Sequence, residues 1–203
     1  MGRRIPTETL SLDELNNGMN SAEFNIRFVP WVKLGKILHP ESPARCLSNN
    51  ELPVDTPGIY ILAAKYNGII MPLYLGKTEF KMGVRYRVNC ELYYSQMEAK
   101  FKTSGILEAS KLLPVDTEYY ATYFPCEISS FLEWKILCKY DFPCNSAENG
   151  RFRLAEVLTS MLRDSLKACL PDSCSRKPII KMGRVVERHR RPSVLHSYGR
   201  TDR

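Results

Sequence analysis

No run of this 203-residue chain approaches the roughly 18–20 consecutive apolar residues that a membrane-spanning helix needs, so no membrane partner is expected. Close cysteine pairs are also missing. Seven cysteines (46, 90, 126, 138, 144, 169 and 174) are dispersed, odd in number and without any C-x-x-C, which argues against a disulfide scaffold and against a zinc module. A zinc site would have to gather Cys169, Cys174, His189 and His196. Reduced thiols in an intracellular compartment are the expectation. The opening Met1-Gly2-Arg3-Arg4 leads into polar sequence without an apolar stretch, so no secretory signal is expected. Thr7 lies one position past the one a myristoylation signal uses. No internal repeat is present.

Net charge is absent from most of the chain. Residues 1–175 hold 20 basic and 20 acidic side chains, and the whole excess of +7 sits in 176–203. Arg184, Arg188, Arg190 and Arg191 lie in that tail and are its candidate nucleic-acid contacts, since such a segment binds polyanions by releasing their counterions. A solvated terminus is the competing reading. The expected organisation is an N-terminal extension over 1–57 packing on a core over 58–170, with a basic tail over 171–203.

Local signals fill in the core. Ser11-Leu12-Asp13-Glu14 has the form of a helix-starting capping box. Phe24 to Leu38 is rich in aromatic and aliphatic residues and is expected to pack on the main domain, while Pro40, Pro43, Pro53 and Pro57 mark 39–57 as loop. Ile59–Tyr66 and Ile69–Leu75 read as strands joined by the hairpin signal Asn67-Gly68. Phe80–Phe101 and Ser104–Leu113 read as helices, and Glu118–Phe124 as a third strand. Ser129 and Ser130 are expected to cap a helix reaching about Tyr140, and Phe152–Leu170 carries apolar residues at helical spacing. These elements predict an α+β fold, a small three-stranded, mostly antiparallel sheet flanked by helices.

Gly58-Ile59-Tyr60, Tyr74-Leu75-Gly76-Lys77-Thr78, an Arg-rich helix start at Val84-Arg85-Tyr86-Arg87-Val88, and Glu133 followed twelve positions on by Asn145 occur in that order. As a set they resemble the GIY-YIG nuclease superfamily over roughly 58–145, under half of the chain. The resemblance implies a free-standing, phage- or restriction-type DNA endonuclease with the same α+β core. It also implies phosphodiester hydrolysis leaving 5′-phosphate and 3′-hydroxyl ends, with one Mg²⁺ or Mn²⁺. Tyr60 would then be the base, Tyr74 a supporting hydroxyl, Arg87 the phosphate clamp, Glu133 the metal ligand and Asn145 a positioning group. Gly58, Gly76, Lys77 and Arg85 would support them, Arg85 also standing in for Arg87 should the helix start shift by a turn.

The residues have readings of their own. Taken alone, Tyr60 is a strand tyrosine packing its ring in the core, Lys77 a loop lysine and Asn145 a turn asparagine. A bidentate guanidinium such as Arg87 matches phosphate oxygens. Glu133 lies in the mostly apolar Phe131–Leu137 stretch. At about 100° per residue it points roughly 160° from Lys135 and about 120° from Lys139, which disfavours a simple ion pair within its own helix. A carboxylate on an apolar face is costly unless paired or metal-bound. Strand parity poses a difficulty. A two-residue Asn67-Gly68 loop pairs Tyr66 with Ile69, which would send Tyr60 and Tyr74 to opposite sheet faces. If both tyrosines line one site, a bulge must intervene, and Pro72, which cannot donate to a ladder, is its natural place. The rival readings are a non-cutting nucleic-acid-binding protein of the same fold and an unrelated α+β interaction domain. Cutting both strands would require two sites, hence a homodimer, and RNA stays open as a substrate.

Overall fold

The computed structural model describes residues 4–21, 24–36, 51–79, 83–93, 105–146 and 152–169. The tail arginines Arg184, Arg188, Arg190 and Arg191 lie outside these residues, as does the predicted helix beyond residue 93. In chain order the elements are β1 (Ile5–Pro6), α1 (Leu12–Met19), β2 (Val32–Lys36), β3 (Gly58–Tyr66), β4 (Ile69–Thr78), α2 (Gly83–Tyr93), α3 (Gly105–Leu112), β5 (Glu118–Pro125), α4 (Ser129–Lys139), β6 (Tyr140–Asp141) and α5 (Leu154–Cys169). Among the described residues no helix is long and apolar enough to cross a membrane.

The fold is α+β, but the main sheet has four strands rather than the expected three, in the antiparallel order β2-β5-β3-β4. The fourth strand comes from the N-terminal extension: Val32 and Leu34 turn inward into the core while Lys33 faces out and pairs with Glu118. Its partner in the sheet is β5, far along the chain, which hides this strand from local sequence patterns. A short parallel pair, β1 with β6, adds a second sheet. The described residues up to Ser165, extension included, form one compact unit.

Alternation along β3 sorts the core into two layers. Tyr60, Leu62 and Ala64 face a cluster with Val84 and Val88 of α2, Ile106 and Ala109 of α3, and Leu154, Val157 and Leu158 of α5. Ile59 and Ile61 face the other way, onto Leu15 and Met19 of α1 and Leu132, Ile136 and Leu137 of α4. α2 and α4 therefore lie on opposite faces. The capping box of α1 forms as expected: the Glu14 amide donates to Ser11 Oγ at 3.2 Å and the Ser11 amide to the Glu14 carboxylate at 2.7 Å. Ser129 and Ser130 do not cap α4. The Ser129 hydroxyl donates instead to the Thr78 carbonyl at 3.0 Å and that of Ser130 to the Glu79 carboxylate at 2.6 Å, fastening the helix start to the end of β4.

The hairpin follows its turn signal. Asn67 and Gly68 both have positive φ, at 49° and 80°, as a type I′ turn requires, and Tyr66 pairs with Ile69. The parity difficulty is then resolved by one extra residue. The ladder runs Ala63 with Pro72 and then Leu62 with Tyr74, so Leu73 is a bulge next to Pro72. Beyond it Tyr74 pairs with Leu62 and Gly76 with Tyr60, which puts Tyr60, Tyr74 and Gly76 on the α2 face.

Candidate functional site

Edge strand β4 divides the predicted residues between the two faces of the sheet: Tyr60, Tyr74 and Arg87 lie on the α2 face, Lys77 and Glu133 on the α4 face. On the α2 face, Val84, Arg87, Val88 and Glu91 share one side of the helix by three- and four-residue spacing. Glu91, which the sequence reading missed, is buried, its side chain only 6% exposed. A single oxygen of its carboxylate, Oε1, lies 3.1 Å from Arg87 Nη2 and accepts the Tyr60 hydroxyl at 3.3 Å and the Tyr74 hydroxyl at 3.4 Å. The two rings are tilted by 44° with centroids 6.4 Å apart. A carboxylate two turns along from Val84 on the apolar face was a readable signal, because an acid placed there must find partners.

Gly76 makes room for this cluster. A Cβ on Gly76 would run into Cζ, Oη and Cε2 of the Tyr60 ring. Gly58 similarly lets β3 lie close to β5, where a Cβ would meet the Phe124 carbonyl. Arg87 keeps its side chain 40% exposed, so part of the guanidinium faces solvent. Burial works against its charge, but Tyr60, Glu91 and Tyr74 outweigh it and raise its pKa.

Tyr60 is fully buried, and burial first, then the Glu91 charge and Tyr74, push its phenol well above the ordinary value, with Arg87 only partly opposing them. Its hydroxyl donates to the Glu91 carboxylate, so a base role for Tyr60 would have to work against both its burial and that contact. Its raised folded pKa also fixes a sign. The unfolded phenol ionises near pH 10, so Tyr60's contribution to stability is intact below that and is lost as pH rises beyond it. Burial raises the Tyr119 phenol as well, so absorbance at 295 nm through an alkaline titration should show more than one tyrosine ionising only with unfolding, and Tyr60→Phe should make that step smaller by one.

On the opposite face Lys77 pairs across the ladder with Ile59 and reaches α4. Its ammonium donates to Ser130 Oγ at 2.7 Å and lies 3.4 Å from the Glu79 carboxylate and 3.8 Å from that of Glu133. Glu133 is 17% exposed, and its ion partner comes from β4 and not from the lysines of its own helix, as its helical angle suggested. Lys135 and Lys139 sit over the Phe24 ring instead, at 5.1 and 4.9 Å from its centroid. Among the described residues no group of three or more His, Cys, Asp or Glu side chains gathers to hold a metal ion; the Glu133 and Glu79 carboxylates both lie against the Lys77 ammonium.

Asn145 closes the strand edge. Phe142 belongs to the α4-side core and Cys144 to the α2-side core, so 142–145 passes around the outside of β4. There the Leu75 amide donates to Asn145 Oδ1 and Asn145 Nδ2 donates to the Leu75 carbonyl, both at 2.8 Å. The buried amide thus stands in for a neighbouring strand. Arg85 is turned away from the site: its Nε donates to the Leu52 carbonyl at 2.8 Å and its amide to that of Pro53 at 3.1 Å, anchoring the loop before β3. It is no substitute for Arg87. Cys90, Cys126, Cys138 and Cys144 are free thiols, and burial raises the pKa of Cys126 and Cys144. Comparison of the chain with protein-family models, curated proteins and solved structures finds no match.

Proposed function

We propose that the chain is a divalent-metal-dependent DNA endonuclease of the GIY-YIG type, in which a phosphodiester lies at the surface beside the end of β4, where Tyr74, Lys77 and Arg87 are partly exposed. One observation carries this reading. Tyr60 packs over Gly76, Tyr74 hydrogen-bonds the carboxylate that also holds Arg87, Asn145 binds Leu75, and Glu133 pairs with Lys77. Tyr60, Arg87, Asn145 and Glu133 thus gather about Tyr74 and the three residues that follow it on one strand, and the bulge at Leu73 is what lets both tyrosines take part.

Arg87, half-exposed, is the clamp that grips phosphate oxygens as charge grows on them. Lys77 is a second cation at the same strand end. Tyr74, partly exposed where Tyr60 is not, is the hydroxyl that faces substrate. Glu133 with Glu79 would hold Mg²⁺ or Mn²⁺, which when bound supplies Lewis-acid stabilisation of the departing oxygen. Tyr60 and Asn145 hold the frame.

Purified protein should nick supercoiled plasmid with Mg²⁺ and not with EDTA, and Glu133→Ala should lose nicking while keeping DNA affinity. Nicking by Glu133→Ala at the parental rate would remove Glu133 from the site. A specific observation favours the second reading, a non-cutting nucleic-acid binder: Arg87 and Lys77 are both already paired with protein carboxylates. Metal-independent DNA binding without nicking of duplex, junction or single-stranded substrates would select it.

A further inference from the structure

Glu91 is a buried carboxylate with no part in the site outlined above, yet it touches three of its members. Its Oε1 takes two phenolic hydroxyls and a guanidinium at once. Apolar residues occupy the neighbouring positions on the same helix face, Val84 and Val88. A leucine there would continue the core, so an acid must be offset by the work of its contacts. Of the two tyrosines it joins, only Tyr74 reaches the surface.

We propose that Glu91 is the proton-accepting carboxylate of this site, acting on the attacking water through the Tyr74 hydroxyl; this rests on the nuclease reading. In the step, a water proton moves to Tyr74 Oη as Tyr74's own proton moves to Glu91 Oε1. The water oxygen uses the freed electron pair to bond phosphorus, and the phosphorus–oxygen bond to the departing group breaks with its pair going to that oxygen. The departing oxygen takes a proton from solvent water, and the hydroxide so formed is neutralised by the proton that Glu91 releases. Tyr74 ends as it began. Such a relay removes the difficulty of a phenol serving as base at neutral pH, because the phenol never carries the charge. Glu91 is a positioning and relay residue: it holds Arg87 and both hydroxyls without itself meeting the phosphate.

Glu91→Gln keeps the shape and an oxygen acceptor but cannot take the proton, and it releases Arg87 from its ion pair. Single-turnover plasmid nicking with Mg²⁺ should therefore fall by about a hundredfold. DNA affinity, measured by anisotropy in EDTA, should stay equal or become tighter. A purely structural role would lower both together, and that result, or nicking within threefold of parental, overturns the proposal. Tyr74→Phe provides the second variant should Glu91→Gln fold poorly; it breaks the relay at its middle and should lose nicking to a similar extent. Parental-rate nicking by Tyr74→Phe overturns the relay while leaving the nuclease reading intact. Absence of nicking by the parental protein itself overturns both.

Discussion

Replacing Asn145 by leucine should cost about 2–5 kcal/mol of folding stability, read as a lower urea midpoint at unchanged slope. Asn145 is buried and satisfies both the amide and the carbonyl of Leu75 at 2.8 Å. Leucine has the same branched shape and is larger, so it fills the space while making neither hydrogen bond. Two backbone groups are left dry, each at about 1–3 kcal/mol. Asn145→Ala should cost less than the leucine variant, because the space it opens admits a water that can bond one or both groups. Asn145→Asp separates the two bonds. One carboxylate oxygen still accepts from the Leu75 amide, while the other faces the Leu75 carbonyl and favours a proton. Its folded pKa is thereby raised, the folded state binds more protons than the unfolded one, and this variant should gain stability as pH falls. Equal stability of all four proteins would show that solvent already satisfies the edge of β4. With a domain's total near 5–15 kcal/mol, the leucine variant stands close to losing the fold.

Gly76→Ala should destabilise by about 1–3 kcal/mol and also abolish nicking, which makes it the most informative single change at the site. The added methyl would overlap the far side of the Tyr60 ring, and that ring is fully buried. Relief requires the ring to shift, which breaks the hydroxyl contact with Glu91 and disturbs Tyr74 and Arg87 with it. Gly68→Ala is the control: nothing lies within 4 Å of a Cβ there, so its cost comes from the positive φ of 80° alone. Thermal denaturation of the two variants separates steric overlap from backbone strain. If Gly76→Ala melts with the parental protein and nicks at its rate, the Tyr60 ring has room that the structure does not show.

Local chemistry made much of this legible. Asn67-Gly68 could hardly be anything but a tight hairpin turn, and Ser11 with Glu14 a helix start, because each depends on neighbours in sequence. Even the bulge followed from counting, since Pro72 and the two tyrosines left one place for it. What escaped depends on distant chain. Strand β2 pairs with β5 across more than eighty residues, and no local pattern records that. Ser129 and Ser130 had the form of caps but found better acceptors on β4. Arg85 and Arg87 are indistinguishable by composition, and only the helix turn between them decides that one binds Leu52 and the other Glu91. The burial of Tyr60 beneath Gly76 and beside Glu91 depends on that distant packing and had no local sign. Glu91 was passed over because the i,i+4 pair with Arg87 resembles an ordinary surface ion pair.

The single residue by which β4 exceeds β3 has a consequence for how this protein can vary. Every side chain of β4 beyond Leu73 keeps its direction because that one residue stands outside the pairing; were Leu73 to pair with Leu62, Tyr74 and Gly76 would turn toward α4. A library built only from substitutions would explore this region without ever touching that fact. Removing Leu73, a change that spares every motif, would close the ladder without a bulge and leave Tyr74 opposite Leu62 and Gly76 opposite Tyr60, both still toward α2. Comparison of such chains by motif content alone would score the two forms as equal; comparison by spacing would separate them at once.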